Sequence, residues 1–151
     1  MQTTADKLDW LDALSPAEQK ALLAEAKTEL ARFKLADYQP YAKQLDFHRM
    51  GADLSIRERL LVAGNQLGKT VAGSFECAMH LTGLYPEWWD GAVFDDPVTG
   101  WAASETSQGT RDTVQRLLLG PVGAWGTGAI PADKILEIKR ASHGVADAVE
   151  T

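Results

Sequence analysis

Apolar positions along the chain fall into short runs separated by segments with a helical period. Leu60, Leu61 and Val62 form one compact run. Residues 98–104 form a second with Trp101 at its centre, and Ile135, Leu136 and Ile138 give residues 134–139 a third. Short runs of this kind, bounded by turn residues, read as strands buried in a parallel sheet. Between them lie helix-competent segments. One covers residues 70–81 and is closed by Gly83; the other covers residues 110–119, with Thr110 as its expected cap and Arg111 and Arg116 exposed. The order strand, helix, strand, helix, strand predicts an α/β fold, a parallel sheet with right-handed crossovers and flanking helices. Three parallel strands would leave an apolar edge open, so the sheet is expected to be incomplete within these 151 residues, a piece of something longer.

Residues 1–36 read as an N-terminal helical segment ahead of a partial sheet domain over residues 37–151. Leu8, Leu11 and Leu14 recur at a spacing of three in a weakly helical opening. A stronger signal follows: Ser15-Pro16-Ala17-Glu18 is a capping box with proline at the first helical position. The helix it starts should run to about Leu35, with Leu22, Ala26, Leu30 and Phe33 along one face. Such a stripe either docks on the sheet domain or holds a partner. Tyr85-Pro-Glu-Trp-Trp-Asp-Gly91 is a turn-rich connector, where Trp88 and Trp89 either stack on a base or cover core. Residues 105–109 form a polar loop at the C-terminal end of the second expected strand, the position where open α/β sheets bind ligands.

Composition narrows the compartment and the chemistry. A hydrophobic content of 45% with 24% charged residues is that of a soluble globular protein, and no apolar run is long enough to cross a bilayer. The single cysteine, Cys77, excludes an intrachain disulfide and suits a reducing cytoplasm. A net charge of −6 gives no bulk attraction to nucleic acid, so any such contact must be local. Cys77 and His80 share a helix face, but one cysteine without a histidine pair does not make a zinc site, and His48, His80 and His143 show no ligand spacing. No serine nucleophile elbow is present.

The informative chemistry lies in Ala63-Gly-Asn-Gln-Leu-Gly-Lys-Thr70, which follows the first apolar run and opens a helix. It nearly matches the phosphate-binding loop G-x-x-x-x-G-K-[ST], departing only where Ala63 replaces the first glycine. A helix N-terminus leaves backbone N–H groups unpaired, and a loop wrapped around phosphate oxygens adds its own. Gly64, Asn65, Gln66, Leu67, Gly68, Lys69 and Thr70 are therefore the expected nucleotide contacts. Lys69 would neutralise the β- and γ-phosphates, and the Thr70 hydroxyl would ligate Mg²⁺. Gln44 lies 25 residues before Lys69 in an aromatic, amide-rich stretch. Its side-chain amide offers the donor and acceptor that an adenine edge requires, as does that of Gln39, while a surface glutamine is the plain alternative. Asp95 and Asp96 follow a three-residue apolar run, as magnesium-holding acids do in phosphate-loop enzymes, but Pro97 follows at once and a solvated turn is the competing reading.

Taken with Lys43-Gln44-Leu-Asp-Phe47, Arg57-Glu-Arg59, Tyr85-Pro-Glu-Trp-Trp89, Arg111-Asp-Thr-Val-Gln-Arg116-Leu-Leu-Leu-Gly120 and Gly126-Thr-Gly-Ala-Ile-Pro131, the loop resembles the N-terminal ATPase region of tailed-bacteriophage terminase large subunits over residues 36–151. The resemblance implies a P-loop NTPase sheet of the RecA, additional-strand type. It implies an ATPase, with ATP and Mg²⁺ as cofactors, that drives double-stranded DNA through a portal protein into an empty procapsid in the host bacterial cytoplasm. A small terminase subunit and a homo-oligomeric ring are the implied partners, and a C-terminal nuclease domain cuts concatemeric DNA. Residue by residue, it makes Gln44 the adenine reader, Lys69 the catalytic phosphate lysine and Thr70 the metal ligand. It also places the acidic pair for Mg²⁺ and water, and the nuclease acids, beyond residue 151. Asn65 stands where some members carry a loop arginine, which leaves the charge-stabilising arginine unassigned, with Arg111 and Arg116 as candidates. A helicase-like phosphate-loop ATPase and a non-catalytic prophage interaction module are the alternatives.

Overall fold

The computed structural model describes residues 14–32, 34–140 and 146–151. The chain divides into two compact units, one up to Ala31 and one from Arg32 onward. In the first, helix α1 (Pro16–Arg32) starts at the capping box. The Ser15 N–H donates to the Glu18 carboxylate at 2.9 Å and the Ser15 hydroxyl accepts the Glu18 N–H at 3.4 Å, a reciprocal pair at an end that otherwise leaves donors unpaired. The Ser15 hydroxyl, donating to the Glu18 carboxylate at 2.7 Å, and the Ser15 N–H together hold that carboxyl below its ordinary value. Helix α1 ends at Arg32 rather than near Leu35. Leu8, Leu11 and Phe33 lie outside the described residues, as does His143.

The second unit centres on helix α3 (Lys69–Thr82), with α2 (Ala42–Arg49) before it in the chain. Ala72, Ala78 and Met79 of α3 are fully buried. Ala78 and Met79 pack with Leu35, Tyr38, Trp89, Leu118, Leu119, Ala129 and Ile130 in one apolar core. Gly83 closes α3 in the left-handed region at φ 68°, its N–H reaching the Met79 carbonyl at 2.9 Å, as the sequence leads one to expect.

A second long helical stretch, α4, covers residues 107–118 with a π-helical centre over Thr110–Gln115. Its cap is Thr106 and not Thr110. Thr106 has the extended backbone a cap needs, φ −136° and ψ 152°, and its hydroxyl accepts the Gly109 N–H at 3.0 Å. Thr110 is already helical at φ −60°, and its hydroxyl donates to the Thr106 carbonyl instead. After α4 the Gly/Pro-rich loop folds back on the helix end. The N–H groups of Gly126, Ala129 and Ile130 take the carbonyls of Leu119, Leu117 and Leu118 at 2.7–2.8 Å, satisfying acceptors a helix end leaves orphaned.

The expected strands are placed differently. Residues 60–62 and 98–104 form no strand. A strand needs a neighbour for its N–H and C=O groups, and neither run finds one among the described residues. Leu60 and Trp101 are accordingly 88% and 96% exposed. The third run becomes β1 (Glu137–Arg140), paired antiparallel with β2 (Ala146–Glu150). A connection as short as the one between them can only reverse the chain, because a parallel partner needs a crossover of a dozen or more residues. Ile138 pairs with Val149, and a bulge falls between Lys139 and Arg140. The Gln115 carboxamide oxygen accepts the Ala146 N–H at 2.7 Å, tying this ribbon to the π-helical part of α4. Among the described residues no helix is long and apolar enough to cross a membrane.

Candidate functional site

Residues 63–68 form a tight turn that feeds α3. Two left-handed residues shape it, Gln66 at φ 61° and Gly68 at φ 73°. Gly68 fits glycine for two reasons. Its torsion is one that L side chains rarely adopt, and an added Cβ would lie 2.8 Å from Gln44 Nε2. Asn65, Gln66 and Leu67 are exposed, so the loop's side chains turn outward. Lys69 bends back over its own loop, and its ammonium donates to the carbonyls of Ala63 and Gly64, each at 2.8 Å. Thr70 is exposed in the first turn of α3. The loop thus presents a helix N-terminus, a tethered cation and a hydroxyl together, which is chemistry suited to an anion carrying a metal ion.

Of the two candidate glutamines, Gln39 is exposed and Gln44 is buried against the loop. Gln44 Oε1 accepts the Tyr41 N–H at 2.8 Å, capping α2, and Nε2 donates to the Gly68 carbonyl at 3.1 Å. A carboxamide has two N–H donors and two lone pairs, so one of each is left after these bonds.

Behind the loop lies a buried polar cluster that sequence reasoning missed. Glu76, on α3, receives His48 Nδ1 on one oxygen at 2.8 Å and the Arg59 guanidinium on the other, with His80 Nε2 at 3.5 Å. His48 Nε2 meets the Tyr38 hydroxyl at 3.0 Å, an arrangement a neutral imidazole satisfies by donating to Glu76 and accepting from Tyr38. Burial pushes the Glu76 carboxyl up, but bonds from His48, His80 and Arg59, and the charge of Arg59, outweigh it and hold the group far below the usual carboxylate range. Burial, reinforced by the Glu76 charge, pushes the Tyr38 phenol up to about 12. A signal for this cluster was present: Glu76 is in helical phase with Ala72 and Met79, a charge on the apolar face of α3.

The remaining candidates separate from the loop chemistry. Trp89 is core, its indole N–H bonded to the Ala92 carbonyl at 2.9 Å, and Trp88 packs against that core, so the connector tryptophans cover core. Asp95 and Asp96 form an exposed bend. Arg111 grips Asp112 with two bonds of 2.7 and 3.2 Å, while Arg116 is exposed beside an open cavity that Lys34 and Thr127 also line. His80 is engaged by Glu76 and by the Tyr85 hydroxyl rather than by Cys77.

Residues 60–146, more than half of the chain and including the loop, α3 and α4, match the family described as terminase large subunit, T4likevirus-type, N-terminal. The chain belongs to the phage terminase large subunit family. A relative within it, "Terminase, large subunit" of Salmonella phage P22, is 35% identical over 170 aligned positions, covering 93% of this chain. The chain spans 34% of the length of that terminase. No solved structure matches it.

Proposed function

We propose that this chain is the ATP-binding part of a viral DNA-packaging motor. Family membership supports the motor, and one observation carries the nucleotide: the Lys69 ammonium held across the Ala63 and Gly64 carbonyls at the head of α3. The backbone N–H groups of Gly64, Asn65, Gln66, Leu67, Gly68, Lys69 and Thr70 would hold the phosphates. Lys69 would balance their charge, Thr70 would ligate Mg²⁺, and Gln44 would present its remaining donor and acceptor to the base. Bound MgATP supplies the phosphoryl-transfer energy that moves DNA. The same reading expects a P-loop NTPase sheet, in which the runs at 60–62 and 98–104 would become strands only with pairing partners that the described residues do not supply. Its partners are double-stranded DNA, a portal protein, a small subunit and further copies in a ring in the host cytoplasm. The parent protein would also cut concatemeric DNA.

The test is binding of a fluorescent ATP analogue with Mg²⁺ to this chain and to Lys69→Ala. Saturable binding lost in Lys69→Ala, with the circular dichroism spectrum retained, is the expected result. Equal binding by both would refute it. Phosphate release by the chain alone should be negligible, because Asp95 and Asp96 sit in an exposed bend. Sustained release would assign one of them the water-positioning role.

A further inference from the structure

We propose that Glu76 is a positioning residue for the loop at 63–70: its buried carboxylate locks together the segments that converge on that loop. The inference rests on the nucleotide reading of the loop for its functional meaning, but its geometry stands on separate residues. Glu76 lies seven positions after Lys69 on α3, about 10 Å along the axis, so it cannot reach the loop's ligand side itself. What it reaches are the other segments that shape the loop.

The first is α2. His48 ties its C-terminal turn to Glu76, while Gln44, one turn earlier on the same helix, bonds the Gly68 carbonyl. The second is the segment that enters the loop. Arg59 lies five residues before Gly64, and its guanidinium bonds Glu76 and the Phe47 carbonyl while resting 4.6 Å above the Phe47 ring. The third is α3, which carries Glu76 and begins at Lys69. A shift of any one of these would move the Gly68 carbonyl relative to Gln44, or the Ala63 and Gly64 carbonyls relative to Lys69.

Stability alone does not account for a charge at this place. Two well-packed apolar residues do as well as a buried ion pair or better, because each ion loses its hydration. A carboxylate offers direction instead: each oxygen takes its own partner, from a different segment, at hydrogen-bond distance. Both His48 ring nitrogens and both Glu76 oxygens are taken by protein partners, so their role must pass through the elements they join.

The experiment compares wild type, Glu76→Gln and Arg59→Lys in this chain. It reads the NMR shifts and hydrogen exchange of the amides of residues 64–70, and the affinity for a fluorescent ATP analogue with Mg²⁺, all well below the melting temperature. Gln keeps the size of Glu76 but not its charge. Lys keeps the charge of Arg59 but not the fork that spans two acceptors. The expected result is displaced, faster-exchanging loop amides and about tenfold weaker binding, the scale of one net hydrogen bond, in a chain that remains folded. Arg59 is partly exposed, so Arg59→Lys reads the same coupling if Glu76→Gln does not fold. A lower melting temperature with unchanged loop amides in the folded chain would overturn the proposal and leave Glu76 a stabilising residue only. If wild type binds no nucleotide while the loop amides still respond, the nucleotide reading fails and the positioning role stands.

Discussion

Replacing Gly68 by alanine puts a number on the bond between α2 and the loop. Two effects add. Gly68 sits at φ +73°, and an L residue in that region costs about 1–2 kcal/mol. The new Cβ would also lie 2.8 Å from Gln44 Nε2, closer than real contacts allow, so the carboxamide must leave the Gly68 carbonyl. Losing that hydrogen bond adds about 1 kcal/mol, for a total of about 2–3 kcal/mol. Gly83 is the internal control. It has nearly the same torsion, φ +68°, and nothing within 4 Å of an added Cβ, so Gly83→Ala carries the backbone effect alone. Urea denaturation of both variants, with and without Gln44→Ala, forms a double-mutant cycle. Gly68→Ala should be the more destabilising by about 1 kcal/mol, and the excess should vanish when Gln44 is alanine. If Gly68→Ala is no worse than Gly83→Ala, or the excess survives without Gln44, the bond does not matter and the reasoning is wrong.

Acid should weaken the fold through Glu76. Its folded pKa is depressed, so its contribution is complete above the ordinary carboxylate value of 4.5 and drains away as pH falls below it; Glu76→Gln should flatten a plot of stability against pH in that window. Base acts through Tyr38 with the opposite sign. Its pKa rises from 10.0 to about 12, so stability holds below pH 10 and falls between those values, which Tyr38→Phe should abolish in a thermal-melt series. Gly126→Ala should destabilise by about 3 kcal/mol or more in urea, because φ is +82° and the added Cβ would meet Ala132 Cα at 2.5 Å; wild-type stability would refute that placement of the loop.

Local signals were legible in the sequence, and signals made by distant partners were not. The Ser15 and Glu18 box and the Gly83 stop depend on neighbours three or four residues away and appear as read. Thr110 reads as the α4 cap because hydroxyl chemistry is visible in a sequence but backbone torsion is not; Thr106 has the torsion. The runs at 60–62 and 98–104 have strand composition, yet pairing is non-local and neither meets an edge among the described residues. β2 carries no strand signal of its own, because Ala146, Asp147 and Ala148 have weak strand preference and its pairing comes from β1. The loop motif marks Lys69, and the amide-rich stretch before it marks Gln44. Glu76 stayed hidden because its partners His48 and Arg59 lie 28 and 17 residues away.

The tether on Lys69 sets the terms on which an oxyanion would be received. An ammonium has three hydrogens to give, and the Ala63 and Gly64 oxygens already occupy two, which leaves one for a newcomer. Immobilising a freely rotating lysine costs about 1.5–2 kcal/mol, and here the fold has met that cost before any guest arrives. The main chain, rather than a swinging side chain, therefore fixes where the positive charge waits. Which anion fits is decided by the curvature of residues 63–68, and a substitution that merely loosens this curve would blunt discrimination while leaving the charge in place.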